Sequence, residues 1–350
     1  MTRVQPSFQQ QLRHFGNSKD AVKGKITMKK LTTKKLTIVT LVLALLMMAA
    51  VPTLSSAERS GRLALYTCVP TNQLNMITAM FTAKYPGVKI DVISAGSADL
   101  TDRLLSAKGH DKGGVILGGG LDVYEALAGS LSAYESPNAS AFQASFKAGS
   151  AAYTPVQIHV SAFVVNKALA GKLGVTVDGW ASLLDEKLNG LVLFTDPGAS
   201  TADAQQAAFV SAVAEKLALS KPSAPSFVLN SVTAGQSLVG IINEEKALER
   251  VSRNPGLSLV YASEGVAMGA SYAGILEGTK DEASARLFID FITSKEYQQA
   301  AADRFHQRSV RTDVSLGVAG IPSTAKLVMA NYQALTVKLL SNVSASTVNK

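Results

Sequence analysis

Residues 63–109 read LALYTCVPTNQLNMITAMFTAKYPGVKIDVISAGSADLTDRLLSAKG. Two short apolar runs, 63–66 and 88–93, each open into a loop of small residues. Each loop is followed by a stretch with helical spacing. In 71–85 the apolar residues Leu74, Ile77, Met80 and Phe81 fall on one helix face, and in 98–107 Leu100, Leu104 and Leu105 do the same. The pattern is strand, loop, helix, twice over. It recurs downstream: 114–117 leads through Gly118-Gly119-Gly120 into 122–129, and 191–194 leads through DPGAS (196–200) into 201–217. The run 257–261 leads into Ser263-Glu264-Gly265. Such alternation predicts an α/β chain with mostly parallel sheets flanked by helices. One run breaks the rhythm. PVQIHVSAFVVN, 155–166, is a long β-rich stretch with no helix before it, and it is the natural place for the chain to cross between two sheets. Helices are expected near 281–293 and 295–304, and an amphipathic C-terminal helix over 323–340.

The chain has 350 residues, 47% hydrophobic and 17% charged, with 27 glycines, 11 prolines and one cysteine. This composition excludes a disordered, collagenous or coiled-coil chain, and the length suits about two domains. A single cysteine, Cys68, closes no internal disulfide and supports no cysteine-rich zinc site. The net charge of +8 is local. Residues 1–57 carry nine Lys and Arg against one acid, Asp20, and 58–350 carry 25 basic and 25 acidic residues. A neutral body exerts no general pull on a polyanion, so no nucleic-acid partner is expected.

The basic segment reads as an address. MKKLTTKKLT (28–37) precedes the apolar run IVTLVLALLMMAAV (38–51), and Ser55-Ser56-Ala57 offers small residues before a cleavage point. That is the secretory signal pattern, with cleavage expected after Ala57. The apolar run is shorter than the ~18 residues of a membrane span. Residues 1–27 show no apolar periodicity, which leaves Met28 as an alternative start to Met1. The exported body, 58–350, is expected in the periplasm as a monomer.

In open α/β sheets, ligands sit at the carboxyl ends of the strands, where helices begin. Helix N-termini present unpaired N–H groups and the positive end of the dipole, which suits an anion. Several Ser-, Thr- and Gly-rich loops at such positions point to an anionic ligand.

The opening 63–109, followed by GGVILGGGLDVYEAL (113–127), resembles the extracytoplasmic solute-binding proteins of ABC importers. The subgroup is the one labelled ferric-ion, phosphosugar, 2-aminoethylphosphonate or thiamine binding. FTDPGASTADAQQAAFVSAVAEKL (194–217), LVYASEGVAMG (259–269) and EASARLFIDFITSKEYQQAAADRF (282–305) continue the resemblance in order. It implies a type II periplasmic-binding-protein fold: two lobes, each a mostly parallel sheet flanked by helices, joined by a β hinge. On this reading 58–158 plus 269–350 form lobe 1 and 159–268 form lobe 2. The partners implied are a small anionic solute, phosphorylated or phosphonate-bearing, and the importer's permease and ATPase. No cofactor is implied.

Carried over position by position, the resemblance assigns ligand contacts to Thr67 and Cys68 on the first loop, where the family has small hydroxyl residues and Cys68 departs from that. It assigns Ser94, Gly96 and Ser97 to the second loop, Gly118, Gly119 and Gly120 to the third, and Ser161 to the crossing run. In the second lobe it assigns Ser200 and Thr201, a partial match to a fuller Ser-Gly-Ser, and the acid Glu264.

Ferric-ion members of the family use clustered tyrosines. The nine tyrosines here are never adjacent, and Tyr66 and Tyr261 are the iron candidates nearest the loops. Thiamine or its phosphates would need stacking aromatics. Trp180, the one tryptophan, is followed by helix-like ASLLDEKL and reads as structural. No enzyme motif is present. There is no HExxH, no Walker loop and no G-x-S-x-G elbow, and GGGLDV fails the dinucleotide pattern at its third glycine. Asp196 with Ser200 suggests a hydrolase pair, but the simpler role for Ser200 is a helix N-cap with Asp203 three residues on. A ligand-sensing receptor lobe is the alternative of another class.

Overall fold

In β1 (Gly61–Thr67) the side chains alternate between two apolar faces, so the strand must be covered on both sides. Leu63 and Leu65 lie in a core with Ile77 and Phe81 of α1 (Thr71–Lys84), Phe288 and Ile292 of α7 (Glu282–Ile292), and Tyr297 of α8 (Lys295–Phe305). Tyr66, on the opposite face, packs with Leu100 and Leu104 of α2 (Ser97–Leu105) and Tyr124 of α3 (Leu121–Ala126). The computed structural model describes residues 60–106, 113–146, 150–195, 212–215 and 223–328.

The remaining strands are β2 (Val88–Ser94), β3 (Gly114–Leu117), β4 (Leu131–Ser132), β5 (Thr154–Asn166), β6 (Val192–Phe194), β7 (Val239–Asn243), β8 (Leu257–Val260) and β9 (Met268–Leu276). The path is β2-β1-β3-β9-β5-β7-β6, with β4 beside β9 and β8 beside β5. β1 runs parallel to β2 and β3, and β6 runs parallel to β7. β9 and β5 are antiparallel to their neighbours.

β5 is the crossing predicted from its sequence. Its first part pairs with β9 as far as Val160↔Met268, and its second part pairs with β7 from Ser161↔Asn243. Thirteen residues suit this double role because eleven are buried, with no alternation to leave one side wet. Beyond the crossing a second core forms. Phe163 and Val165 pack with Trp180, Leu188, Phe194 and Ile241. Val164 faces the other way, toward Leu229 and Val232 of α5 (Pro225–Thr233) and Ala247 of α6 (Glu244–Val251). Trp180 is fully buried, stacks edge-on to Phe163 at 4.8 Å, and donates its indole N–H to the Gly265 carbonyl at 2.9 Å. Its role is structural, as the sequence suggests. The segment after it forms 3₁₀ turns at Ala181–Leu184 and Glu186–Leu188 rather than a helix.

Two backbone bonds draw the C-terminal segment across the crossing. The Ile158 N–H donates to the Arg308 carbonyl at 3.0 Å, and the Val266 N–H donates to the Val328 carbonyl at 2.9 Å. Of the helix expected over 323–340, the described part holds a 3₁₀ turn at Thr324–Lys326, and the rest lies outside the described residues. Within 201–217, a helical segment is described at 212–215. Among the described residues no helix is long and apolar enough to cross a membrane.

Candidate functional site

Because β1, β2 and β3 are parallel, their carboxyl ends lie along one edge of the sheet, and α1, α2 and α3 begin there. The caps of these helices differ from most of the others. α1, α2 and α3 start after Pro70, Gly96 and Gly120, none of which supplies a side-chain acceptor. By contrast α6, α7, α8 and α4 (Lys167–Leu173) are capped by Asn243, Asp281, Ser294 and Asn166, at 2.9 to 3.3 Å. α5 also lacks a side-chain cap but begins with Pro225, which has no donor to satisfy. Among the described residues, the first-turn donors of α1, α2 and α3 have no side-chain acceptor from their N-cap residues.

Cys68 sits where these loops meet. Burial pushes its thiol up to about 11, against hydrogen bonds from its own backbone, the Ser97 side chain and the Gly119 backbone. At that value the group is an uncharged, poorly nucleophilic thiol. A Cβ on Gly118 would lie 2.8 Å from its sulfur, and Gly118 and Gly119 adopt φ of 94° and 87°, so glycine is required at both. The Gly118 N–H is committed to the Tyr272 carbonyl at 2.8 Å. Beneath the glycines, Tyr124, Tyr153 and Tyr272 form a ring cluster with centroids 5.3 to 5.7 Å apart. The Tyr124 hydroxyl is directed at the Tyr272 and Gly118 carbonyls, at 2.6 and 2.9 Å, and burial holds its pKa well above the ordinary value.

The residues singled out in the sequence divide into three groups. Cys68, Gly96, Ser97, Gly118, Gly119 and Gly120 share the corner just described, and Ser94 ends β2 on its exposed side. Thr67 shares the corner but is turned inward. It is fully buried, donates to the Leu117 carbonyl at 3.0 Å and accepts from the Val69 N–H at 3.1 Å, which shapes the loop. Ser161 lies at the crossing, its N–H donating to Ala267 at 2.8 Å.

Glu264 is engaged by its own chain. Its two oxygens accept from the N–H groups of Ala181 (2.8 Å) and Trp180 (3.1 Å), so it caps the turn at Ala181–Leu184. Burial alone would raise this carboxyl. The N–H groups of Ala181 and Trp180, with its own N–H and Ser263, outweigh that and hold it below the ordinary value. Gly179 makes room for it, since a Cβ there would lie 1.8 Å from one carboxylate oxygen. Ser200 and Thr201 lie outside the described residues. Of the iron candidates, Tyr66 is core and the Tyr261 hydroxyl donates to Glu244.

Sequence reading missed a polar cluster at the crossing, buried at His159, Glu244 and Arg308 and half-buried at Gln157, Glu245 and Tyr261. Asn243-Glu244-Glu245 is legible as a cap followed by first-turn acids. Nothing in the spacing announces that Glu244 meets Arg308, 64 residues on.

The family described as bacterial extracellular solute-binding protein matches residues 70–305. A protein of Haemophilus influenzae whose function is uncharacterised is 29% identical, with 72% of this chain and 79% of that protein covered. Among solved structures, the periplasmic binding protein AfuA of Actinobacillus pleuropneumoniae, with exogenous fructose-6-phosphate bound, is similar at a TM-score of 0.63 and 24% identity. That similarity covers 82% of this chain and 99% of AfuA. Iron-bound HitA of Pseudomonas aeruginosa is similar at a TM-score of 0.64 and 16% identity, over 81% of this chain and 99% of HitA. These likenesses show a shared two-lobed fold, with ligands of unlike chemistry in the two proteins. The match over 70–305 takes in the second core, the crossing strand and the helices and remaining strands of the first core, and the chain belongs to the bacterial extracellular solute-binding protein family.

Proposed function

We propose that the chain is the substrate-binding subunit of an ABC importer and captures a small anionic solute, phosphorylated or phosphonate-bearing, by hinge closure. The observation that carries this reading is the corner where α1, α2 and α3 begin without side-chain caps beside the φ-positive glycines 118 and 119. An anion there supplies the acceptor that the N-cap residues of these helices do not, and gains from the helix dipoles. The fructose-6-phosphate seen in AfuA belongs to the proposed class. On this reading 28–57 is a signal peptide cleaved after Ala57, and the exported protein is periplasmic and monomeric. Lobe 1 is 58–158 plus 269–350, and lobe 2 is 159–268 with Ser200 and Thr201 offering the second set of ligand donors. Closure about the crossing brings the two sets onto one ligand and shifts the population toward the closed form.

Native mass spectrometry of residues 58–350, followed by a thermal-shift screen, tests the reading. The probes are fructose 6-phosphate, glucose 6-phosphate, 2-aminoethylphosphonate, thiamine, thiamine phosphate and ferric citrate. A probe at 100 times its Kd stabilises by about 2.7 kcal/mol. A shift with a phosphate ester or phosphonate and none with ferric citrate is the expected result. A shift with ferric ion and a coloured charge-transfer band would overturn the choice of ligand. Turnover of a phosphate ester would overturn the binding role itself.

A further inference from the structure

The polar cluster at the crossing joins parts of the chain that belong to different sides of it. Glu244 and Glu245 open α6, directly after β7, on the far side. Gln157 and His159 lie on the part of β5 that pairs with β9, and Arg308 follows α8 and bridges to Ile158 on the near side. Glu244 and Arg308 are both buried and form a two-pronged ion pair, Nε to Oε2 at 2.6 Å and Nη2 to Oε1 at 2.7 Å. Tyr261, leaving β8, donates to the same carboxylate, and Arg308 also donates to the Pro322 carbonyl at 2.9 Å and to Thr324 at 3.2 Å. The second carboxyl, on Glu245, accepts from Gln157 and stands 3.8 Å from His159.

The Arg308 guanidinium is engaged by the Glu244 carboxylate, and the neighbouring Glu245 carboxyl faces Gln157 and His159 instead. A buried pair in good geometry is stable, but a second buried charge without a counter-charge is costly. The groups around Glu245 are Glu244 and Lys246 on its own helix, Gln157 and His159 on β5, and Tyr297 on α8. Burial and the Glu244 charge raise the Glu245 carboxyl to about 8, against smaller opposing effects of Lys246 and Gln157. Burial lowers His159 to about 4, so it is a neutral ring near neutral pH and supplies no compensating charge. On the hinge-closing reading, rotation about the crossing at Val160 and Ser161 would move Glu244 and Glu245 relative to Arg308, Gln157 and His159.

We infer that this cluster is a proton-sensitive clasp across the hinge, and that loss of the Glu245 proton shifts the chain away from the lobe arrangement seen here. The inference rests on the hinge-closing reading but not on the identity of the ligand. With the proton in place, the clasp holds a single charged pair. Without it, a second negative charge is trapped against Glu244, and rearrangement of the lobes lets water reach it.

Small-angle X-ray scattering of ligand-free 58–350 between pH 6 and pH 9.5 tests the clasp without any solute. At pH 6 the curve is expected to follow the present arrangement, and to depart from it with a midpoint near pH 8. Glu245→Gln should keep the pH 6 curve throughout. Gln157→Leu removes a group that favours the ionised form, so its midpoint should move up, and it serves as the second variant if Glu245→Gln fails to fold. A wild-type curve that does not change with pH overturns the inference, as does a pH response that survives Glu245→Gln or an unmoved midpoint in Gln157→Leu. If the scattering responds to pH as expected while every solute in the thermal screen is inert, the clasp stands and the proposed ligand class falls.

Discussion

Gly118 and Glu264 show how single residues shape the chain on the two sides of the crossing. Gly118 holds a backbone conformation that costs other residues about 1–3 kcal/mol, and it leaves only enough room for the Cys68 sulfur. Gly118→Ala should therefore lower stability by about that amount and weaken an anionic probe such as fructose 6-phosphate, read by urea unfolding and by calorimetric titration. Undiminished affinity would remove this loop from the site. Glu264 acts on its own backbone. Glu264→Ala should cost about 1 kcal/mol, the ordinary value of a lost N-terminal cap. Gly179→Ala, which drives a methyl group into the carboxylate, should cost as much or more. If Glu264→Ala unfolds at the wild-type urea midpoint, the cap is not what stabilises the 3₁₀ turn.

Among the helices, the contrast between capped and uncapped N-termini sets the three helices of the proposed site apart from α4, α6, α7 and α8. Asn243→Ala takes away the acceptor that holds the Glu245 N–H at 3.0 Å, and should destabilise by about 1 kcal/mol. Gly96→Ser does the reverse. The backbone at Gly96 is extended, with φ −61°, and a Cβ there meets nothing nearer than an Asp99 oxygen at 3.8 Å, so a serine hydroxyl fits and can cap α2. Stability should hold or rise by a few tenths of a kcal/mol. On the proposed function, affinity for an anionic probe should drop several-fold, because the new hydroxyl takes donors that the proposal assigns to the ligand. A rise in stability with unchanged affinity would show that the α2 N-terminus does not face the ligand.

For the molecule as a whole, the buried crossing cluster makes stability depend on pH in a calculable direction. The Glu245 carboxyl, raised from 4.5 to about 8, keeps a proton that the unfolded chain has lost, so its contribution falls as pH rises between those values. The His159 ring, lowered from 6.5 to about 4, does the opposite, and its contribution grows with pH between 4 and 6.5. The two effects offset each other between about pH 4.5 and 6.5. Above that window only Glu245 acts, and at up to ~1.4 kcal/mol per pH unit it should lower stability by about 2 kcal/mol from pH 6.5 to 8. Urea unfolding at the two pH values checks this, and Glu245→Gln should flatten the decline. A decline of the same size in that variant would assign it to other groups.

Much of this architecture is local in origin. The apolar runs 63–66, 88–93 and 114–117, the helical spacing in 71–85 and 98–107, and the long apolar run 155–166 were enough to place the first three strands, their helices and the crossing. Each depends on residues a few positions apart that must bury one face. Gly118 and Gly119 were assigned to a ligand loop by resemblance, and their positive φ values emerged only in the fold. Long-range partners are not encoded in spacing. Thr67 looked like a ligand hydroxyl, but its acceptor, Leu117, lies on a neighbouring strand 50 residues away. Glu264 looked like a cleft acid, but its partners, the Trp180 and Ala181 N–H groups, lie more than 80 residues upstream. β7 and β9 went unread because their apolar runs acquire meaning only when they pair with β5. The Glu244–Arg308 pair depends on the crossing itself, which brings together two ends of a sheet that no local pattern connects.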